Sequence, residues 1–129
     1  MRLLLDTHIL LWALAGDARL DATARGWIED PGNLVLFSAA SIWEIAIKSS
    51  LHKARFGVRP AEIAEAARAT GLTELPVSSR AAALVADLPL HHRDPFDRLL
   101  AAQAIDETVR LVTVDPLLAP YTELVTLLV

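Results

Sequence analysis

The chain has 129 residues, 53% of them hydrophobic and 22% charged, with a formal net charge of −4 and no cysteine. That length carries one domain with its own core, and the missing cysteines exclude a disulfide framework and a thiolate metal site, as suits a reducing cytoplasm. No run of about 18 uncharged apolar residues occurs, which excludes a helical membrane span, and Asp6 and His8 break the apolar start too early for it to read as a signal peptide. A small domain this apolar is expected to cover part of its surface with a partner or a second copy.

Leu3-Leu4-Leu5 runs straight into Asp6, and a helical pattern follows from His8 to Ala15. This predicts a buried strand whose C-terminal tip is an acid. In open α/β sheets the crevice beyond the strands' carboxyl ends is where ligands bind, although Asp6 is equally suited to cap the helix behind it. Asp21 caps a helix running to Asp30, and Pro31-Gly32 stops it. Leu34 to Phe37 is a continuous apolar run ending at Ser38, the pattern of a strand buried on both faces. Ser41 is predicted to open the next helix, with Glu44 at the capping-box spacing. Lys48, Lys53, Arg55 and Arg59, with His52 among them, form a basic stretch without an acid. Such a stretch is either a solvated helix end and loop or a surface for a phosphodiester backbone.

Pro60 starts a helix that reaches about Thr70 before Gly71. Leu72 to Val77 is a weaker strand. Ser78 or Ser79 caps a helix through Leu88, closed by Pro89. Asp94 is the N-cap of the next helix, Pro95 its first residue and Asp97 part of its first turn, with Phe96, Leu99, Leu100, Ala104 and Ile105 as the apolar positions. Arg110 to Val114 reads as a strand, Asp115 follows it, Pro116 opens a short turn, and Leu124 to Val129 is the last strand. Helices and apolar strands alternate throughout, which predicts an α/β fold: a three-layer α/β/α sandwich around a parallel sheet, with residues 1–129 in a single domain.

Against that plan, Asp6, Glu44, Asp97 and Asp115 are candidates for one site. Asp6 and Asp115 end strands, and Glu44 is one turn into a helix that follows one. Asp97 is less obvious, because its helix runs into a strand. Carboxylates gathered in one pocket repel each other unless a cation neutralises them, and oxygen-only donors suit Mg²⁺ or Mn²⁺, whose usual work is phosphoryl chemistry. Each acid also has a structural alternative. Asp6, Asp94 and Asp115 can cap, Asp97 can favour a helix dipole, and Glu44 can pair with Lys48 one turn on. His8, His52, His91 and His92 show no zinc spacing, and His91-His92-Arg93, which could touch phosphate or only fix a loop, is expected to fix the loop. Thr7, Ser38 and Thr113 sit at strand ends, where they could orient metal-bound water, though structural hydrogen bonding is the expected role. Neither a nucleophile-elbow motif nor a Gly-rich phosphate loop is present.

Several segments resemble a known family. They are Leu4-Leu5-Asp6-Thr7-His8, Ser41-Ile42-Trp43-Glu44-Ile45-Ala46-Ile47-Lys48, His92-Arg93-Asp94-Pro95-Phe96-Asp97-Arg98-Leu99-Leu100 with the Ala-rich run to Ala104, and Val112-Thr113-Val114-Asp115. Together they are similar to PIN domains, and more narrowly to the ribonuclease toxins of type II toxin–antitoxin pairs, the VapC type. The resemblance spans the chain, and the Asp-Pro-Phe-Asp-Arg-Leu-Leu run is its most specific part. It implies a five-stranded parallel sheet and an endoribonuclease dependent on Mg²⁺ or Mn²⁺. It implies an acidic site of Asp6, Glu44, Asp97 and Asp115, a homodimer, and a small antitoxin covering the acidic groove. Asp94 matches a recurrent acid of the subfamily outside the core metal positions. The expected chemistry is hydrolysis of an RNA phosphodiester. Asp6, Asp97 and Asp115 would hold metal directly or through water, and Glu44 would orient or deprotonate the attacking water. Lys48, Lys53 and Arg55 are weaker candidates for backbone contact. Two alternatives stand beside this reading. One is a haloacid-dehalogenase-type phosphatase, which wants an acid where His8 stands. The other is a non-catalytic α/β binding module whose acids are caps.

Overall fold

The computed structural model describes residues 1–51 and 59–128. Its centre is β1 (Arg2–Leu5), which pairs in parallel with β2 (Leu34–Ser38) on one side and β4 (Arg110–Thr113) on the other. β3 (Thr73–Leu75) lies outside β2 and β5 (Val125–Leu127) outside β4, giving five parallel strands in the order β3-β2-β1-β4-β5. Leu4 pairs with Leu36 and with Leu111, so the sheet's middle is a row of leucines.

Alternation along the strands sorts the core into two layers. Leu3, Leu5, Val35, Phe37 and Val112 face α1 (Thr7–Ala15), α2 (Ala22–Glu29), Ile45 of α3 (Ala39–Leu51) and the inner side of α4 (Pro60–Ala69). Leu4, Leu36 and Leu111 face the opposite way, onto Leu100, Ala101 and Ala104 of α6 (Pro95–Glu107) and onto Leu118. Because apolar residues are needed on both faces, β1 and β2 read as unbroken apolar runs. The three-layer sandwich is the expected one.

Local chemistry sets the element ends. Asp6, Asp21, Ser78 and Asp94 each cap a helix by accepting a backbone N–H. Gly16 closes α1 with φ of 63°, the left-handed conformation a C-terminal cap needs. Several boundaries differ from expectation. α5 spans only Ser79–Leu84 and tightens into a 3₁₀ turn at Val85–Asp87. The predicted strand from Leu72 to Val77 shrinks to Thr73–Leu75, since Pro76 cannot donate to a ladder.

The capping box at Ser41 is a correction. α3 begins at Ala39, directly after β2, so Ser41 lies inside the helix. The Ser38 hydroxyl caps instead, accepting the Ala40 N–H at 2.9 Å. Ser41 and Glu44 are thereby released to point into the interior, where both are buried. His52, Lys53 and Arg55 lie outside the described residues.

Candidate active site

In the order β3-β2-β1-β4-β5 the strands stay parallel, but the chain builds outward one way from β1 through β2 and β3 and then the other way through β4 and β5, so the strand order reverses between β1 and β4. A crevice opens beyond the carboxyl ends of two strands at such a switch point. Asp6 follows β1 and Asp115 follows β4, so the two flank it. α3 leaves the end of β2 at the same edge, which brings Glu44 there. α6 answers the question raised by Asp97. Its C-terminal end hands over to β4, so it runs back across the sheet and its N-terminus, with Asp97 in the first turn, starts at the carboxyl edge. All four acids predicted from sequence therefore come to one edge, but they are held differently.

Asp6 is buried. Its Oδ1 accepts the Ile9 N–H at 2.9 Å, the capping bond, and its Oδ2 accepts the Thr113 hydroxyl. Burial pushes its carboxyl above the ordinary value, against the opposing pull of these two bonds. Thr113 Oγ1 also accepts the Asp115 N–H at 3.0 Å, so one hydroxyl ties the two strand-end acids together. Glu44 is 3% exposed. Its Oε1 accepts the Thr7 hydroxyl at 2.6 Å, and its Oε2 pairs with Lys48 Nζ at 2.5 Å. Lys48 also reaches Asp94 at 3.2 Å. Burial lowers the Lys48 ammonium, but Glu44 and Asp94 outweigh it and hold the group above its ordinary value. The i,i+4 pair that sequence offered as an alternative role for Glu44 is therefore formed, and Lys48 is engaged inward.

Asp94 caps α6 through the Phe96 N–H (2.9 Å) and the Asp97 N–H (3.4 Å). Burial raises its carboxyl, yet Lys48 and these N–H groups bring it below the ordinary value. Asp97 has no such support. Its carboxyl is pushed up to about 7, first by burial, then by the carboxylates of Asp94, Glu44 and Asp6, with His92 pulling the other way. Asp115 accepts the Leu117 N–H at 2.9 Å on Oδ1. Its Oδ2 lies 2.6 Å from His92 Nε2, which is also 3.2 Å from Asp97 Oδ2. Among the described residues, His92, Asp97 and Asp115 are the three whose ligand atoms lie within 4.8 Å of one another. Asp6 and Glu44 stand outside that trio while still acting on Asp97 electrostatically.

A family model for the PIN domain matches residues 3–122. The chain belongs to the PIN-domain family. It is 34% identical over 116 residues to Ribonuclease VapC22 of Mycobacterium tuberculosis (strain ATCC 25618 / H37Rv), covering 87% of this chain and 85% of that one. This places the PIN domain among the VapC type. Its fold matches a crystal structure of VapBC2 from Rickettsia felis bound to a DNA fragment from their promoter. The TM-score is 0.68 at 17% identity, over 99% of this chain and 98% of the other. The phosphatase alternative falls with the family assignment. His8, where that chemistry wants an acid, is exposed with its ring edge-on to Trp12 at 6.5 Å.

Sequence reasoning missed His92 in this PIN domain, assigning it to a loop. The signal was present but faint. His92 lies two residues before the Asp94 cap, and the turn there folds it back over the start of α6. Thr7 and Thr113 do hydrogen-bond as expected, but their partners are site carboxylates.

Proposed function

We propose that this PIN domain is a metal-dependent endoribonuclease that hydrolyses RNA phosphodiester bonds, and that it is the toxin of a type II pair held inactive by a small antitoxin. The observation that carries the reading is the gathering of Asp6, Glu44, Asp97 and Asp115 at the sheet's switch point, with carboxylate oxygens of Asp97 and Asp115 within 4.8 Å of each other. Burial first, and then the neighbouring carboxylates, push the Asp97 carboxyl up to about 7, which accords with a cluster whose charge a divalent cation would offset.

The residues fit such an ion. The donors are carboxylate oxygens, the set preferred by Mg²⁺ and Mn²⁺. Asp97 and Asp115 would hold it, with Asp6 and Glu44 directly or through water. When bound, the metal lowers the pKa of an attacking water and neutralises charge on the phosphodiester. The chain's own residues prepare the rest. Thr7 and Lys48 hold Glu44 in one rotamer, so its carboxylate can orient a water or take its proton. Thr113 fixes Asp6 and Asp115 relative to each other.

Partners follow from the exposed apolar residues near the acids. Trp43 (57% exposed) precedes Glu44, and Leu117 (53%) lies two residues after Asp115. Surface of this kind supports a protein partner, the antitoxin, and a second copy of the chain. Among the described residues no helix is long and apolar enough to cross a membrane. A cytoplasmic location, where the RNA is, accords with the absence of cysteine.

Cleavage of single-stranded RNA tests the proposal, comparing EDTA with Mg²⁺ or Mn²⁺ beside an Asp97→Asn variant of verified folding. Metal-dependent cleavage lost in the variant supports it. If neither protein cleaves and calorimetry finds no metal binding, the binding-module reading replaces it.

A further inference from the structure

We propose that His92 is a positioning residue of the acidic site. It holds the Asp115 and Asp97 carboxylates at the spacing a cation needs, and it is not itself a ligand. The proposal rests on the metal-site reading above.

The argument begins with the other ring nitrogen. The Asp94 N–H donates to His92 Nδ1 at 3.0 Å. Nδ1 is therefore an acceptor, and the ring's hydrogen sits on Nε2. Nε2 lies 2.6 Å from Asp115 Oδ2 and 3.2 Å from Asp97 Oδ2. A nitrogen carrying hydrogen has no lone pair to give a metal. To become a ligand the ring would need its hydrogen on Nδ1, facing the Asp94 N–H donor to donor. The trio of His92, Asp97 and Asp115 thus has the composition of a metal site, but only two of its members can ligate in this seating.

The seating is itself braced. Tyr121 Oη accepts the His91 and His92 backbone N–H groups at 3.0 and 2.8 Å. Arg98 donates to Tyr121 Oη at 3.2 Å and to the carbonyls of Val85, Leu88 and Pro89 at 2.9, 3.3 and 3.1 Å. The loop ahead of α6 is tied to both α6 and the turn after β4. His92 is only 12% exposed on its side chain, and this network fixes the backbone from which its ring reaches Asp97 and Asp115. Groups that orient metal ligands in this way are worth about 10–100-fold in metal affinity.

The test is calorimetric titration of Mn²⁺ into wild type, His92→Ala, His92→Gln and Tyr121→Phe, with pulsed electron paramagnetic resonance of the bound Mn²⁺. Wild type is expected to bind without directly coordinated nitrogen. His92→Ala is expected to bind about 10-fold more weakly. His92→Gln, which keeps an N–H donor at similar reach, retains most of the affinity. Tyr121→Phe, which leaves the imidazole in place, shows a smaller loss in the same direction and covers the case in which His92→Ala fails to fold. Directly coordinated nitrogen in wild type that His92→Ala abolishes would overturn the proposal, as would wild-type affinity in both His92→Ala and Tyr121→Phe. If wild type itself binds no Mn²⁺, the metal-site reading fails instead, which separates the two failures.

Discussion

Replacing Lys48 with methionine removes the ammonium from a carboxylate that burial has stripped of water. Glu44 is 4% exposed on its side chain and Lys48 30%, with 2.5 Å between the charged atoms. A unit-charge pair at about 4 Å is worth about 4 kcal/mol at an effective dielectric near 20, before the desolvation of both ions is subtracted. Exposed pairs return about 0–1 kcal/mol net, whereas breaking a fully buried pair costs about 3–5 kcal/mol. With one partner buried and the other partly solvated, Lys48→Met should destabilise by about 2 kcal/mol. For a chain of this length that lowers Tm by roughly 6–8 °C. Glu44→Gln should cost less, since Lys48 keeps Asp94 at 3.2 Å and some access to water. Urea unfolding of both single variants and the double variant, in EDTA so that no added cation substitutes, closes a double-mutant cycle. A Lys48→Met protein within about 0.5 kcal/mol of wild type, the range of an ordinary surface change, would refute the reasoning. So would a coupling energy near zero. Lys48 would then be a solvated cation open to other work, such as contact with the RNA backbone.

Asp97 predicts a pH effect of definite sign. Its carboxyl is raised to about 7 in the fold from 3.8. Between those values the folded chain holds a proton the unfolded chain has lost, so this stabilisation is fully present below about pH 4 and lost as pH rises through about 7. Metal-free wild type should therefore lose stability relative to Asp97→Asn between about pH 5 and 7.5 in denaturant titrations, and parallel curves would contradict this. Thr113→Val keeps the shape, and only Asp6 Oδ2 and the Asp115 N–H lose a bond, since Asp6 Oδ1 keeps the Ile9 N–H. The change should cost about 1–3 kcal/mol per lost partner and reduce RNA cleavage, measured by thermal melting and the cleavage assay. Asp6→Asn retains the oxygen that caps α1, so its stability should stay within about 1 kcal/mol of wild type while cleavage is lost. A large loss of stability in that variant would make Asp6 chiefly a structural residue.

Much of this PIN domain follows from local chemistry that a linear reading can see. Leu3-Leu4-Leu5 and Leu34 to Phe37 have the pattern of strands buried on both faces, and their alternation with helices points to a parallel sheet between two helix layers. Asp21, Ser78, Asp94 and Pro95 mark helix starts because caps act on N–H groups two or three residues away. Asp6 and Asp115 could be placed at one edge because parallel strands share a direction. The tertiary structure decided what depends on the third dimension. Ser41 and Glu44 have the spacing of a capping box, but β2 runs into α3 without a loop, and the pair turns inward to Thr7 instead. His92 looked like a loop residue because Asp115 and Tyr121, the partners that tie it to the end of β4, lie 23 and 29 positions away, and the nearby Asp94 reads as no more than a cap. The elevated Asp97 carboxyl is of the same kind. Burial and the carboxylates of separate elements raise it together, and no stretch of sequence contains that sum.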